Sequence, residues 1–198
     1  MEDHSLLSVE GGVGEPLSSK TDLELVDAAK KDPEIFGLLM ERFEKPLLRY
    51  LVRLTGWAEA ETEDMLQETF IKAYRNLNDF DPELKFSSWL YRIAHNQAID
   101  TLRHHSARPT MNMLPMEDIA RFIPADTDVE RELASRYDME KVRQAILDLP
   151  LRYREVLILR FLEDKDYEEI MDILKKPKGT VATLIKRGRT ILIESLKE

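Results

Sequence analysis

Residues 64–103 constrain the fold more than any other stretch of the chain. Leu66, Phe70, Ala73 and Leu77 recur at three- and four-residue steps, the spacing that lines one face of an α-helix, so these side chains are predicted to be buried together. Asp64, Gln67, Glu68 and Lys72 must then point elsewhere. Asp79, Asp81 and Pro82 interrupt the period, because Pro cannot extend a helical hydrogen-bond ladder and Asp competes for nearby backbone donors. Ser87 is predicted to cap a second helix, with Leu90, Ile93, Ala94, Ile99 and Leu102 as its apolar stripe beside Trp89, Arg92, Asn96 and Arg103. A loop carrying Phe80, Lys85 and Phe86 is thus held between a helix with an acidic and amide face and a helix with an aromatic and basic face.

The rest of the chain continues the helical pattern. Leu, Glu, Lys, Arg, Ala and Ile are abundant and only 7 Gly interrupt 198 residues, which favours an all-α protein. Residues 1–20 have no apolar period and read as a tail. A short helix is predicted from Thr21 or Asp22. Asp32 and Pro33 form a second start signal, a capping carboxylate followed by Pro where its missing N–H costs nothing. The helix that follows is predicted to kink or break at Pro46 and to end at Gly56. A third helix is expected over residues 58–78. Pro109 opens a Pro-containing acidic segment, 109–126, that divides a domain at 21–108 from one at 127–198. Its Met and Ile content is too apolar for a free tether, so it is bound either along a partner or back on its own domains.

The second domain begins with a helix capped by Asp126 or Thr127 and a further helix opened by Pro150. A short helix, 167–174, then a basic turn, 175–178, and a last helix from about Gly179 form a helix-turn-helix. Although the net charge is −9, residues 173–193 carry Lys175, Lys176, Lys178, Lys186, Arg187 and Arg189 with no acid. A local basic surface therefore survives on an acidic chain.

Two patterns resemble bacterial RNA polymerase sigma factors of the extracytoplasmic-function (ECF) group. Asp64, Gln67, Glu68 and Phe70, then Phe80, then Phe86, Trp89, Arg92 and Asn96 match sigma region 2. Leu149 with Pro150, Arg154 to Val156, and Tyr167 to Ile170 match region 4. The resemblance implies two small helical domains, a region 2-like bundle and a region 4-like helix-turn-helix, joined by a linker. It implies a cytoplasmic, non-enzymatic protein whose partners are core RNA polymerase, through its clamp helices and flap, promoter DNA, and an anti-sigma factor. Asp64, Gln67, Glu68 and Lys72 would bind polymerase. Phe80, Lys85, Phe86, Ser87, Trp89, Arg92, Asn96 and Arg103 would bind and melt the minus-ten element. Lys178, Thr180, Thr183, Lys186, Arg187 and Arg189 would read the minus-thirty-five element as duplex.

The physical requirement for melting without ATP is that unstacked bases meet something better than water, about 1–3 kcal/mol per base on an aromatic face. Phe80, Phe86 and Trp89 have the right chemistry for this, and equally the right chemistry for a core. Lys85, Arg92 and Arg103 suit the phosphates, and Asn96 has an amide that reads a base edge. His95, His104 and His105 are read as surface or phosphate-contacting residues, because no ligand spacing points to a metal. In the reading helix many relatives carry Gly-Thr-Val-Lys-Ser-Arg, whereas this chain has Gly179, Thr180, Val181, Ala182, Thr183 and Leu184, so its upstream grip should be weaker or differently specific. Gly188 adds a helix cost of about 1 kcal/mol.

No apolar run reaches the roughly eighteen residues a membrane-spanning helix needs, and the start of the chain lacks a leader pattern. Zero Cys excludes disulfides and Cys-bound zinc. No Gly-rich phosphate loop or activated nucleophile points to an enzyme or a cofactor. The second reading is a helix-turn-helix regulator that binds duplex operator without polymerase.

Overall fold

The computed structural model describes residues 19–104 and 139–197, and all its regular elements are helical. The predicted tail up to residue 18, His105, the segment 109–126 and the helix start at Asp126 or Thr127 lie outside the described residues. Helix α1 spans Asp22–Ala29, α2 Phe36–Thr55, α3 Glu59–Arg75 and α4 Phe86–His104. In the second half α5 spans Met139–Asp148, α6 Leu151–Leu157, α7 Tyr167–Leu174 and α8 Lys178–Ser195.

Local chemistry sets most of these boundaries. Thr21 and Glu24 form a reciprocal capping box at the start of α1. The Asp32 carboxylate accepts from the Glu34 N–H, and Pro33 opens a short 3-10 turn that leads into α2. Gly56 ends α2 with φ of 74°, where a side chain would be strained. Pro46 does not break α2, which continues through it as one helix. The second helix of the opening motif starts two residues earlier than predicted: Trp89 N–H donates to the Lys85 carbonyl at 3.1 Å, so Lys85 occupies the capping position and Ser87 lies in the first turn.

Helices α2, α3 and α4 pack on one another, and Leu66, Phe70, Ala73 and Leu77 are buried as their spacing required. In the second half α6 packs on α8, and the crossing is close at Gly188. A Cβ there would meet the Tyr153 Cβ at 3.2 Å and Leu157 Cγ at 3.3 Å, which explains the glycine that helix propensity alone disfavours. Beyond Leu157 the helix widens into a π-helical turn, Ile158–Leu162, closed by a Glu163 N–H to Ile158 carbonyl bond of 3.0 Å. The two halves do not stand apart: α7 packs against α4, and one continuous apolar core runs through both.

Candidate nucleic-acid interface

Helix α3 turns Met65, Leu66, Thr69, Phe70 and Ala73 inward, which leaves Asp64, Gln67, Glu68 and Lys72 exposed on its outer face. The Lys72 ammonium reaches the Gln97 side-chain carbonyl, so this residue also ties α3 to α4. Next to this face a shallow groove is lined by Phe36, Met40, Phe70, Ile71 and Tyr74. Met40, Ile71 and Tyr74 are 39%, 41% and 44% exposed, large for apolar side chains. Sequence reasoning passed over Ile71 and Tyr74, although each follows a buried position by one residue and so could not share its face.

Around the start of α4 the structure separates residues that the sequence grouped together. Phe80, Phe86 and Trp89 are only 3%, 2% and 6% exposed. Their rings form one cluster with Phe43, at centroid distances of 5.4 to 5.7 Å. In this conformation they are core residues rather than open stacking faces, because burying four rings against each other removes more apolar surface than exposing them to wait for a base. The polar candidates are placed differently. Lys85, Asn96 and Arg103 are exposed, and Ser87 and Arg92 are half-buried. Arg103 makes a loose 3.6 Å pair with Asp100.

The helix-turn-helix forms as predicted. Asp166 caps α7 in a capping box with Glu169, Lys175 takes a left-handed φ of 52° in the turn, and α8 follows from Lys178. Val181, Ile185, Gly188 and Leu192 hold α8 to the domain. Lys178, Thr180, Thr183, Lys186 and Arg187 lie on the open side, with Ala182 among them. Arg189 departs from this face: it is half-buried, with its guanidinium 5.9 Å from the Phe161 ring centroid. Arg189 stands one turn from the buried Ile185 and Leu192, so the helical phase sets it at the edge of the buried face.

Between the halves lies a polar seam that sequence reasoning did not find. Arg53 of α2, with a side chain 3% exposed, pairs with the Glu163 carboxylate at 2.6 Å and donates to the Leu162 carbonyl at 3.1 Å. The Tyr91 hydroxyl of α4 donates to the same carboxylate at 2.8 Å, and Lys165 lies 4.4 Å from the Tyr91 ring centroid. Arg154 donates to the Leu54 carbonyl at 3.0 Å. Burial pushes the Glu163 carboxyl up, opposed by the charge of Arg53, and burial next to Glu163 pushes Tyr91 up.

His95 belongs to this seam, which corrects its reading as a surface or phosphate-contacting residue; His104 is exposed. Its Nδ1 lies 3.1 Å from the Tyr50 hydroxyl, and its Nε2 lies 3.5 Å from a Glu155 carboxylate oxygen. Lys176 pairs with the other oxygen of Glu155 at 3.0 Å. Burial, with the nearby Lys176 charge, lowers His95 to about 4. A neutral imidazole here is consistent with a seam where each carboxylate already has a cation. At the outer edge Lys85 pairs with Asp166 at 3.3 Å and Glu169 at 3.6 Å, which raises Lys85, and the Glu169 N–H donated to Asp166 together with Lys85 lowers Asp166. Among the described residues no cluster of His, Asp or Glu could hold a metal ion, and no helix is long and apolar enough to cross a membrane.

Sigma-70 region 2 matches residues 39–108, and Sigma-70 region 4 matches residues 139–192. The chain is 34% identical over 179 residues to the ECF RNA polymerase sigma factor SigW of Bacillus subtilis, covering 85% of this chain and 92% of that protein. It is 35% identical over 188 residues to the RNA polymerase sigma-H factor of Pseudomonas aeruginosa, covering 91% and 96%. Among solved structures, CnrH in complex with the cytosolic domain of CnrY superposes with a TM-score of 0.64 at 26% identity, over 89% of this chain and 97% of that one. The fold also matches the sigma factor RpoE of Bartonella quintana, in complex with the anti-sigma factor NepR, with a TM-score of 0.63 at 20% identity over 82% and 96%. Taken with the helix-turn-helix and the outward acidic face of α3, these matches show that the chain belongs to the ECF sigma factors, the alternative sigma factors of transcription initiation.

Proposed function

We propose that the outer face of α3, carrying Asp64, Gln67, Glu68 and Lys72, docks on the clamp helices of the largest polymerase subunit, and that the second half engages the flap. The observation that carries this reading is that this face stays exposed while α8 offers a separate open row of polar and basic residues. Acidic side chains at helical spacing complement a basic partner helix, and such complementarity chiefly sets specificity and encounter rate. Lys178, Thr180, Thr183, Lys186 and Arg187 then meet the minus-thirty-five duplex, in which the second helix of the motif enters the major groove. Arg189 acts from the flank.

At the minus-ten element Lys85, Arg92 and Arg103 hold phosphates, Asn96 reads a base edge and Ser87 supplies a hydroxyl at the start of α4. Phe80, Phe86 and Trp89 serve this site by fixing the loop and the first turn of α4, and contribute stacking faces only after rearrangement. An anti-sigma partner is proposed from the likeness to CnrH, and its check is loss of run-off transcripts when it is added. The operator-binding reading has no support from the family matches.

The test is run-off transcription with core enzyme. Asp64→Lys with Glu68→Lys should lower initiation about tenfold or more while leaving circular dichroism unchanged, as expected when opposite charges at an interface become like charges. Normal co-purification of that variant with core polymerase would refute the docking face.

A further inference from the structure

We propose that Gly179 and Thr183, one turn apart on the outermost line of α8, form a side-chain-poor notch that reads a thymine of the minus-thirty-five element through its C5 methyl group. The inference deepens the proposed duplex contact of α8 and rests on it.

The notch follows from helical phase. Val181, Ile185, Gly188 and Leu192 fix the buried line of α8. At about 3.6 residues per turn, Gly179, Thr183 and Lys186 fall opposite that line, and all three are exposed. Ala182 lies to one side of them, and Thr180 and Arg187 lie to the other. Leu184, by contrast, packs against the core. The centre of the outward face is therefore short side chains, with Lys178, Lys186 and Arg187 around it to attract phosphates.

Gly179 has no reason within its own chain. A Cβ there would meet nothing within 4 Å, whereas a Cβ at Gly188 would press on Tyr153 and Leu157. The backbone does not need it either, since among the described residues the glycine with a positive φ is Gly56. Glycine inside a helix is disfavoured, and what it offers here is close approach of another molecule to the helix backbone. Gly37 is equally open, so the glycine alone would carry nothing.

The second observation is how Thr183 uses its hydroxyl, which donates to the Gly179 carbonyl at 2.8 Å. With that proton committed to the helix, Thr183 has none for purine N7 or O6, or for thymine O4. A hydroxyl so held can only accept, and an acceptor alone does not tell the amino group of adenine from that of cytosine. Its methyl group does discriminate, because thymine presents a methyl in the major groove and the other three bases do not. The glycine one turn earlier removes the side chain that would hold α8 away from that base edge. Both residues lie in the first two turns of α8, the part of such a helix that reaches base edges. Many relatives carry Ser where this chain has Thr183, so the preference resides in one carbon.

The test uses the full chain with core polymerase. Promoters selected from a library randomised over the minus-thirty-five element should contain a thymine whose replacement by deoxyuridine, which removes the methyl alone, weakens promoter binding about fourfold. Thr183→Ser keeps the hydroxyl and drops the methyl. It should bind the thymine promoter about fourfold less well than wild type and bind the thymine and deoxyuridine promoters equally. Gly179→Ala should keep or raise the thermal midpoint of the free protein, because its Cβ enters open space, yet bind the promoter about tenfold less well. Wild-type binding that is indifferent to deoxyuridine at each selected thymine, or a Thr183→Ser variant that stays sensitive to the methyl, would overturn the methyl reading. Normal promoter binding by Gly179→Ala would overturn the close approach. Transcripts without any sequence preference in this element would instead refute α8 as its reader, whereas a preference that ignores the methyl would leave that role standing and overturn this inference alone.

Discussion

Acid should loosen this protein through His95, by an amount that follows from its environment. The imidazole is enclosed by Tyr50 of α2, Glu155 of α6 and Lys176 of the turn before α8, and burial holds it at about 4 instead of the ordinary 6.5. Glu155 would favour a charged imidazole, but its carboxylate is closer to Lys176. Between these two pH values the folded chain binds fewer protons at this position than the unfolded chain. Stability from His95 is therefore complete above about pH 6.5 and is lost as pH falls toward 4. From pH 7 to pH 5 the loss is about 2 kcal/mol, out of a full value of about 3.4 kcal/mol for the whole shift at 1.36 kcal/mol per unit. Glu163 works in the opposite sense, since its raised pKa lets the folded form take up a proton as pH falls. The measurement must then be a difference. Urea unfolding of wild type and His95→Gln at pH 7 and pH 5, followed by circular dichroism, should show the wild type losing about 2 kcal/mol more than the variant. Equal losses would refute the burial argument for His95.

The aromatic cluster gives a larger effect: Phe86→Ala, at a side chain packed on Phe43, Phe80 and Trp89, should cost about 3–5 kcal/mol and lower the thermal midpoint by about 10 °C. Little change would mean that these rings are not a packed unit. Gly188→Ala sets a helix gain of about 1 kcal/mol against overpacking of about 1–3 kcal/mol where the Cβ meets Tyr153 and Leu157. Net destabilisation in thermal melts is the expected sign, and stabilisation would show that the α6–α8 crossing relaxes freely. Ala182→Lys, on the exposed side of α8, should steepen the salt dependence of promoter binding by about 0.9 in log–log slope; an unchanged slope would show that this position does not face phosphate.

Periodicity carried the parts of the fold in which a residue's fate is decided by its own helix. Leu66, Phe70, Ala73 and Leu77 had to share a face whatever they packed on, and the Asp32–Pro33 and Gly56 signals act within one turn of backbone. Pro46 shows where such a rule stops, because α2 is held by buried Leu39, Phe43, Leu47 and Leu51 on either side and continues past the missing donor. Residue type could not place Phe80, Phe86 and Trp89, since the rings that stack on bases are the rings that fill cores. His95 and Glu163 were illegible for a different reason. Their partners are 60 and 110 residues away in sequence, Glu155 and Arg53, and no local pattern encodes that distance. Gly188 lay between these cases: its cost was visible in the sequence, but its cause, a close crossing with Tyr153 and Leu157, was not.

The charge distribution bears on how tightly the proposed minus-thirty-five face can hold duplex by itself. The open side of α8 presents Lys178, Lys186 and Arg187, so its contribution to duplex binding involves about three phosphates and a salt slope of about −2.7. That is a small electrostatic grip for a chain of net charge −9, whose remaining surface repels the duplex. On the proposed minus-ten face Lys85 already pairs with Asp166 at 3.3 Å and Glu169 at 3.6 Å. With the proposed docking through α3, once one half engages its element the other meets its own at a high effective concentration instead of by a new encounter. On the proposed assignment of surfaces, specificity at the promoter then comes from joining two weak interactions.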